Sequence, residues 1–161
     1  MVQSTTGVIH RQAKMMAEQM LTEVWRDAGF PVDPVTIARA MGLHVVETDL
    51  PEAIAGALLK EAGKDPTIVI HYQDSVQRKR FTCAHELGHY SRHVAQSSTG
   101  GEYNYVSLRQ RPSQAEGADQ DLEDLFADEF AAHLLMPVQE VVRLQRRGDS
   151  LISAMVHFGV S

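Results

Sequence analysis

The sequence predicts an α+β protein in which a small three-stranded sheet is packed by helices. Three observations support this. The stretch from Asp74 to about Val94 is free of proline and patterned as a helix, and it contains His85-Glu86-Leu87-Gly88-His89. Immediately before it, Thr67-Ile68-Val69-Ile70-His71-Tyr72 is a run rich in β-branched residues, the pattern of a buried strand. Upstream, Leu43–Glu47 and Ala55–Lys60 are two further short candidate strands.

The elements follow in chain order. About Val8 to Ala28 reads as an amphipathic helix with Ala13, Met16, Met20, Val24 and Trp25 on its apolar side. Gly29 and Pro31 break it. Asp33-Pro34 then starts a second helix, an N-cap followed by proline at the first helical position, which runs through Ile37 and Met41 to a C-terminal Gly42. The three strands follow, with Ala55–Lys60 expected at the sheet edge. Asp74 is the expected N-cap of the histidine helix, with Gln77 completing a capping box.

From Ala95 to Gly117 the pattern is irregular. Gln96–Gly101 is small and polar, Glu102–Val106 is a candidate short strand, and Arg109 and Arg111 fall in an expected loop. A last long helix is expected from about Asp119, as cap, to Leu135, with Pro137 ending it. Val138–Arg147, closed by Gly148, and Ser150–Phe158 are two more short helices.

Residues four apart on a helix share a face, so His85 and His89 can hold one ion between them. Neutral imidazoles suit Zn²⁺ at about 2.0–2.1 Å. Glu86 can reach a metal-bound water without being a ligand, and it is the candidate base. A catalytic zinc site keeps three protein ligands and one open position, so a third ligand must come from elsewhere. The acidic residues of the last long helix supply candidates. Asp124 and Asp128 share a face there, while Phe126, Phe130 and Leu134 form a separate core stripe.

Phe81–Tyr90 followed by Ala127–Pro137 resembles, in that order, the ImmA/IrrE family of metallo-endopeptidases. The resemblance extends from about residue 15 to the end. It implies a zincin-like core, His85 and His89 as metal ligands, Glu86 as catalytic base, and cytosolic cleavage of a helix-turn-helix repressor that frees stress, phage or mobile-element genes. Residues 1–161 are then expected to be a single domain of this kind. Where the family carries a glutamate as third ligand, this chain has Asp124, one methylene shorter, and the neighbouring Glu123 stands as the alternative. Asp128 is expected to orient a ligand histidine through its other ring nitrogen. Zn²⁺ is the expected ion, with Mn²⁺ as an alternative. Zinc peptidases of this type hold their substrate as an extra strand on a sheet edge. Another helix usually follows Phe158–Ser161 in the family, so the C-terminal helical part is expected to be short or truncated.

Composition sets outer bounds. A length of 161 residues with 43% hydrophobic and 22% charged residues suits one globular domain. A net charge of −6 argues against a dedicated nucleic-acid surface but is compatible with a basic protein partner. The single cysteine, Cys83, rules out an internal disulfide and reads as core filler. No apolar leader and no membrane-length run are present, so the expected location is the cytoplasm. His93, one turn beyond His89, is expected beside the site or at the surface. His10, His44, His71, His133 and His157 carry no motif. The rival to a peptidase is a metal-binding regulatory module that binds and displaces its repressor without cutting it.

Overall fold

The structure is a computed structural model that describes residues 4–95, 97, 102–111 and 121–161. Helix α1, Thr5–Met20, is capped by the Ser4 hydroxyl, which accepts from the Gly7 N–H, and it continues as a π-helical turn over Leu21–Trp25. It ends earlier than its apolar pattern predicts and also starts earlier, because the serine cap satisfies one of the first free N–H groups. Helix α2, Pro34–Ala40, begins as expected, with Asp33 accepting from the Val35 N–H. Strands β1, His44–Thr48, β2, Ile54–Lys60, and β3, Thr67–His71, match the three candidate strands within a residue or so.

Helix α3, Val76–His89, carries the histidine motif and runs on as a π-helical turn over Tyr90–Val94. Its N-cap is Ser75, which accepts from the Arg78 N–H, and not Asp74. Asp74 is instead engaged by Arg111 at 2.7 Å. Strand β4, Tyr105–Gln110, follows, and then helices α4, Leu122–Leu135, α5, Val138–Arg147, and α6, Leu151–Phe158. Helix α4 is capped by Asp121, accepting from the Glu123 N–H. The expected cap Asp119 lies outside the described residues, as does most of the small polar run before β4.

Among the described residues the sheet has four strands, not three, in the order β1-β3-β2-β4. The fourth strand contains the end of the predicted 102–106 segment and extends through Arg109, which sequence patterning placed in a loop. Its alternation explains why it was under-read. Tyr105, Ser107 and Arg109 point to one face and are half-buried, while Val106, Leu108 and Gln110 are exposed, so no apolar run marks it. β4 pairs antiparallel with β2, from Lys60 opposite Tyr105 to Ile54 opposite Gln110, with an irregularity between Ile54 and Gly56. Strand β2 is thus interior, between β3 and β4, and the expectation that it forms the edge is overturned. Pairing on both sides closes its backbone edges, and Leu58 is buried in the core.

Two close approaches place α3. A Cβ at Gly56 on β2 would lie 2.4 Å from Thr82 Cγ2 and 2.7 Å from the Val69 carbonyl oxygen, so only glycine lets α3 lie this close to the sheet. At the other flank, a Cβ at Gly88 would meet Ala127 Cα at 3.0 Å and Phe130 Cδ1 at 3.2 Å on α4. Around these contacts Cys83, Ala84 and Leu87 of α3 and Phe126, Phe130, Ala131 and Leu134 of α4 form the core, with Ile9, Ala13, Ala17 and Met20 of α1 closing it. The Arg80 guanidinium donates to the Val32 and Gly159 carbonyls, tying α3 to the start of α2 and to the end of α6.

Replacing Gly88 by valine is expected to force α3 and α4 apart. The expected cost is about 1–3 kcal/mol of unfolding free energy in a urea titration, despite valine's better intrinsic helix propensity.

Candidate metal centre

His85, Glu86 and His89 lie on the buried side of α3 and are 2%, 0% and 4% exposed. Three polar groups this deep in a core need partners, and α4 and β4 provide them. The His85 and His89 Nε2 atoms are 3.1 Å apart. Asp124 Oδ1, entering from the first turn of α4, lies 3.3 Å from His89 Nε2 and 3.6 Å from His85 Nε2. Tetrahedral bonds of the length Zn²⁺ makes to N and O ligands put neighbouring donor atoms about 3.3–3.4 Å apart. The three atoms therefore have the spacing that one small ion requires, and the chemistry of two imidazoles with a carboxylate suits it. The shorter aspartate reaches because Gly88 lets α4 sit close.

Glu123 is turned to another partner. Its carboxylate contacts His93 Nε2 and lies 3.5 Å from Arg92, on the neighbouring side of α4. Asp124, and not Glu123, is the residue brought to the two histidines. His93 stacks on the Tyr105 ring, 5.1 Å between centroids, and stands outside the three-atom cluster.

Asp128, one turn after Asp124, faces the other nitrogen of His85. Its Oδ1 is 2.8 Å from His85 Nδ1 and 3.0 Å from Arg109 Nη1. Arg109 Nη1 is also 2.6 Å from His85 Nδ1. A guanidinium only donates, and Nδ1 and the carboxylate cannot both act as acceptors toward each other. The consistent assignment has Asp128 accepting from both His85 Nδ1–H and Arg109, which leaves the His85 Nε2 lone pair directed at Asp124 and His89. At His89 the Tyr105 hydroxyl sits 3.5 Å from Nδ1, at the long limit of a hydrogen bond.

Glu86 is held by the Ser107 hydroxyl, which donates to Oε2 at 2.6 Å. Its Oε1 is buried with no hydrogen-bond partner among the described residues. Burial pushes the Glu86 carboxyl up to about 7, against the opposing pull of His85, the Ser107 hydrogen bond and Arg109. Burial also drops His89 to about 4, with the His85 charge adding to it, so His89 stays neutral. Burial opposes a charged His85 ring, but the nearby Asp124 and Asp128 carboxylates outweigh it and His85 is raised. Burial lifts the Cys83 thiol to about 12, so it is never a thiolate at ordinary pH.

Sequence reading missed Ser107 and the site role of Arg109, which it placed in a loop. The signal available was weak: polar residues at every second position of β4, Tyr105, Ser107 and Arg109, each meeting one member of the motif. The motif-free histidines stay away from the cluster. His10 and His133 contact Glu129, His44 approaches Asp65, His71 Nδ1 accepts from the Gln73 N–H, and His157 contacts Glu140.

Residues 38–161 match the family described as the Peptidase_M78, IrrE N-terminal-like domain. The chain belongs to the Peptidase_M78 family. The match spans β1 to α6 and includes every residue of the buried cluster. Membership of Peptidase_M78 assigns a metallopeptidase role, and the His85–His89–Asp124 cluster is where a metal ion fits. No curated protein matches the chain. Among the described residues, no helix is long and apolar enough to cross a membrane.

The raised Glu86 carboxyl has a definite effect on stability. Its unfolded value is 4.5 and its folded value about 7, so between these the folded state holds more protons, and stability falls as pH rises through the window. His89 acts oppositely, its contribution being lost as pH falls from 6.5 toward about 4. In chelator-treated protein, Glu86→Gln is expected to remove the first effect alone. Urea unfolding at pH 5 and pH 8 is expected to show the variant gaining on wild type by roughly 1–3 kcal/mol at the higher pH.

Proposed function

We propose that the chain is a zinc-dependent endopeptidase of the cytoplasm that cleaves a helix-turn-helix repressor and so relieves repression of stress, phage or mobile-element genes. The observation that carries the peptidase reading is the placement of Glu86. It is a fully buried carboxylate with one oxygen unpartnered, next to a three-atom cluster sized for one ion. A non-catalytic metal module has no need to bury such a group at this cost. The repressor as substrate is supported by the family resemblance and is compatible with the net charge of −6, which favours a basic partner.

His85, His89 and Asp124 are the residues that would hold the ion, and Mn²⁺ is the alternative to Zn²⁺. When bound, such an ion acidifies water and polarises the scissile carbonyl. Glu86 accepts the proton of the attacking water, and a carboxyl raised to about 7 gives that proton up again to the leaving amine near neutral pH. Asp128 holds His85 in the tautomer that presents Nε2. Burial keeps His89 neutral and therefore able to donate its lone pair.

The substrate has a place to bind. Strand β4 pairs with β2 on one side, and among the described strands nothing pairs with its other side. An extended segment added there would run past Tyr105, Ser107 and Arg109, the three residues that touch the motif. At the Arg109–Arg111 end a cavity of about 960 Å³ opens, lined by Phe81, Leu135, Met136 and Met155. It suits a large apolar side chain of the substrate.

Metal analysis separates the ligand assignments. Wild-type protein is expected to hold one zinc per chain, Asp124→Ala to lose it, and Glu123→Ala to keep it. Retention by Asp124→Ala with loss in Glu123→Ala would overturn this site.

Glu86→Gln is expected to keep the metal and the partner while peptide-bond cleavage drops by at least about a thousandfold. The variant serves as a trap: a repressor retained on it is identified by mass spectrometry and then incubated with wild type. Cleavage by wild type alone supports the proposal. A retained repressor that wild type releases from DNA without cutting would replace it with the displacement reading.

A further inference from the structure

We propose that Ser107 is a positioning residue for Glu86, clamping one carboxylate oxygen so that the other, Oε1, is the one that exchanges protons with water and leaving group. The inference rests on the peptidase reading given above and deepens it. A carboxylate at the end of a glutamate is not held by rotamer preference, because its terminal torsion is broad and twofold. Left alone, Glu86 would present either oxygen over a range of angles. Base catalysis needs one oxygen within hydrogen-bond reach of a defined proton.

The structure supplies the missing restraint. Ser107 Oγ donates to Oε2 at 2.6 Å, a short charge-assisted contact, while Oε1 is fully enclosed and unpartnered among the described residues. One oxygen is thereby fixed by a hydrogen bond and the other is left without one. Ser107 is itself fixed. It lies in the middle of β4, opposite Leu58 in the ladder. Its neighbours on the same face, Tyr105 and Arg109, reach His89 and His85. Strand β4 thus meets all three motif residues in one register, and Ser107 is its contact with the base.

The site can be probed without knowing the substrate. Acetohydroxamic acid chelates a metal through two oxygens as its anion, and the hydroxyl proton it gives up can pass to a base beside the metal, here Glu86. Co²⁺-loaded protein is titrated with acetohydroxamate and followed by its visible absorption, for wild type, Glu86→Gln, Ser107→Ala and Ser107→Thr. Co²⁺ affinity is measured in parallel. Ser107→Ala is expected to weaken acetohydroxamate by about tenfold or more while Co²⁺ affinity stays within about twofold, and Ser107→Thr, which keeps the hydroxyl, is expected to recover most of the loss. Wild-type affinity in Ser107→Ala, with Glu86→Gln impaired, would overturn the role of Ser107 and leave the peptidase reading standing. Loss of Co²⁺ from Ser107→Ala, or no recovery with threonine, would show a structural role and also overturn it. Unimpaired binding in Glu86→Gln would remove Glu86 as the base, and both proposals would fall together.

Discussion

The contact of Gly88 with Ala127 and Phe130 is the constraint on which the rest depends. Helix α3 brings two histidines and a glutamate to one buried face, but alone it offers an ion only two donors. A third must come from elsewhere, and among the described residues it is Asp124 of α4, an aspartate with a short reach. Backbone-to-side-chain contact at Gly88, with no Cβ between, is what brings Asp124 Oδ1 to 3.3 Å from His89 Nε2. The glycine weakens α3 as an isolated helix, and the loss is offset by a core that closes around Cys83, Leu87, Phe126 and Phe130.

The second constraint is electrostatic. His85, Glu86 and His89 are buried, Asp124 and Asp128 meet them from the more exposed side of α4, and each group is defined by its neighbours. The same burial pushes the carboxyl of Glu86 up and the imidazole of His89 down. Both shifts favour neutral forms, as desolvation must. Asp128 and Arg109 break this pattern by keeping a paired charge behind His85, which sets the ring's tautomer. The arrangement thus assigns roles by depth and partner: an aimed carboxyl, a neutral imidazole, and a histidine oriented from behind.

Strand β4 connects these two constraints. Its inner residues meet the histidine motif, its ladder to β2 fixes their register, and its outer edge is open among the described strands. An element that both supports the base and borders the site has little freedom in its inner face, since a one-residue slip would turn Ser107 and Arg109 away. Its outer face has no such restriction and carries the exposed Val106 and Leu108.

Much of this molecule was legible from residue order alone. Three strands, both long helices after the first, and the histidine motif on a helix follow from local patterning, because a period of 3.6 or 2 and the presence of caps and breakers are properties of neighbouring residues. Asp124 and Asp128 could be put on one face of α4 for the same reason. Other features were decided only by tertiary structure. Ser75 displaced Asp74 as the cap of α3 because Arg111, distant in sequence, draws Asp74 away. β2 became interior and β4 became a strand through a pairing that no local pattern announces. The choice between adjacent Glu123 and Asp124 depended on which side of α4 faces α3, and so on the packing at Gly88. Ser107 and Arg109 acquired their partners through β4's register. Local order determines which side chains can share a face; which faces meet is set by contacts between elements far apart in the chain.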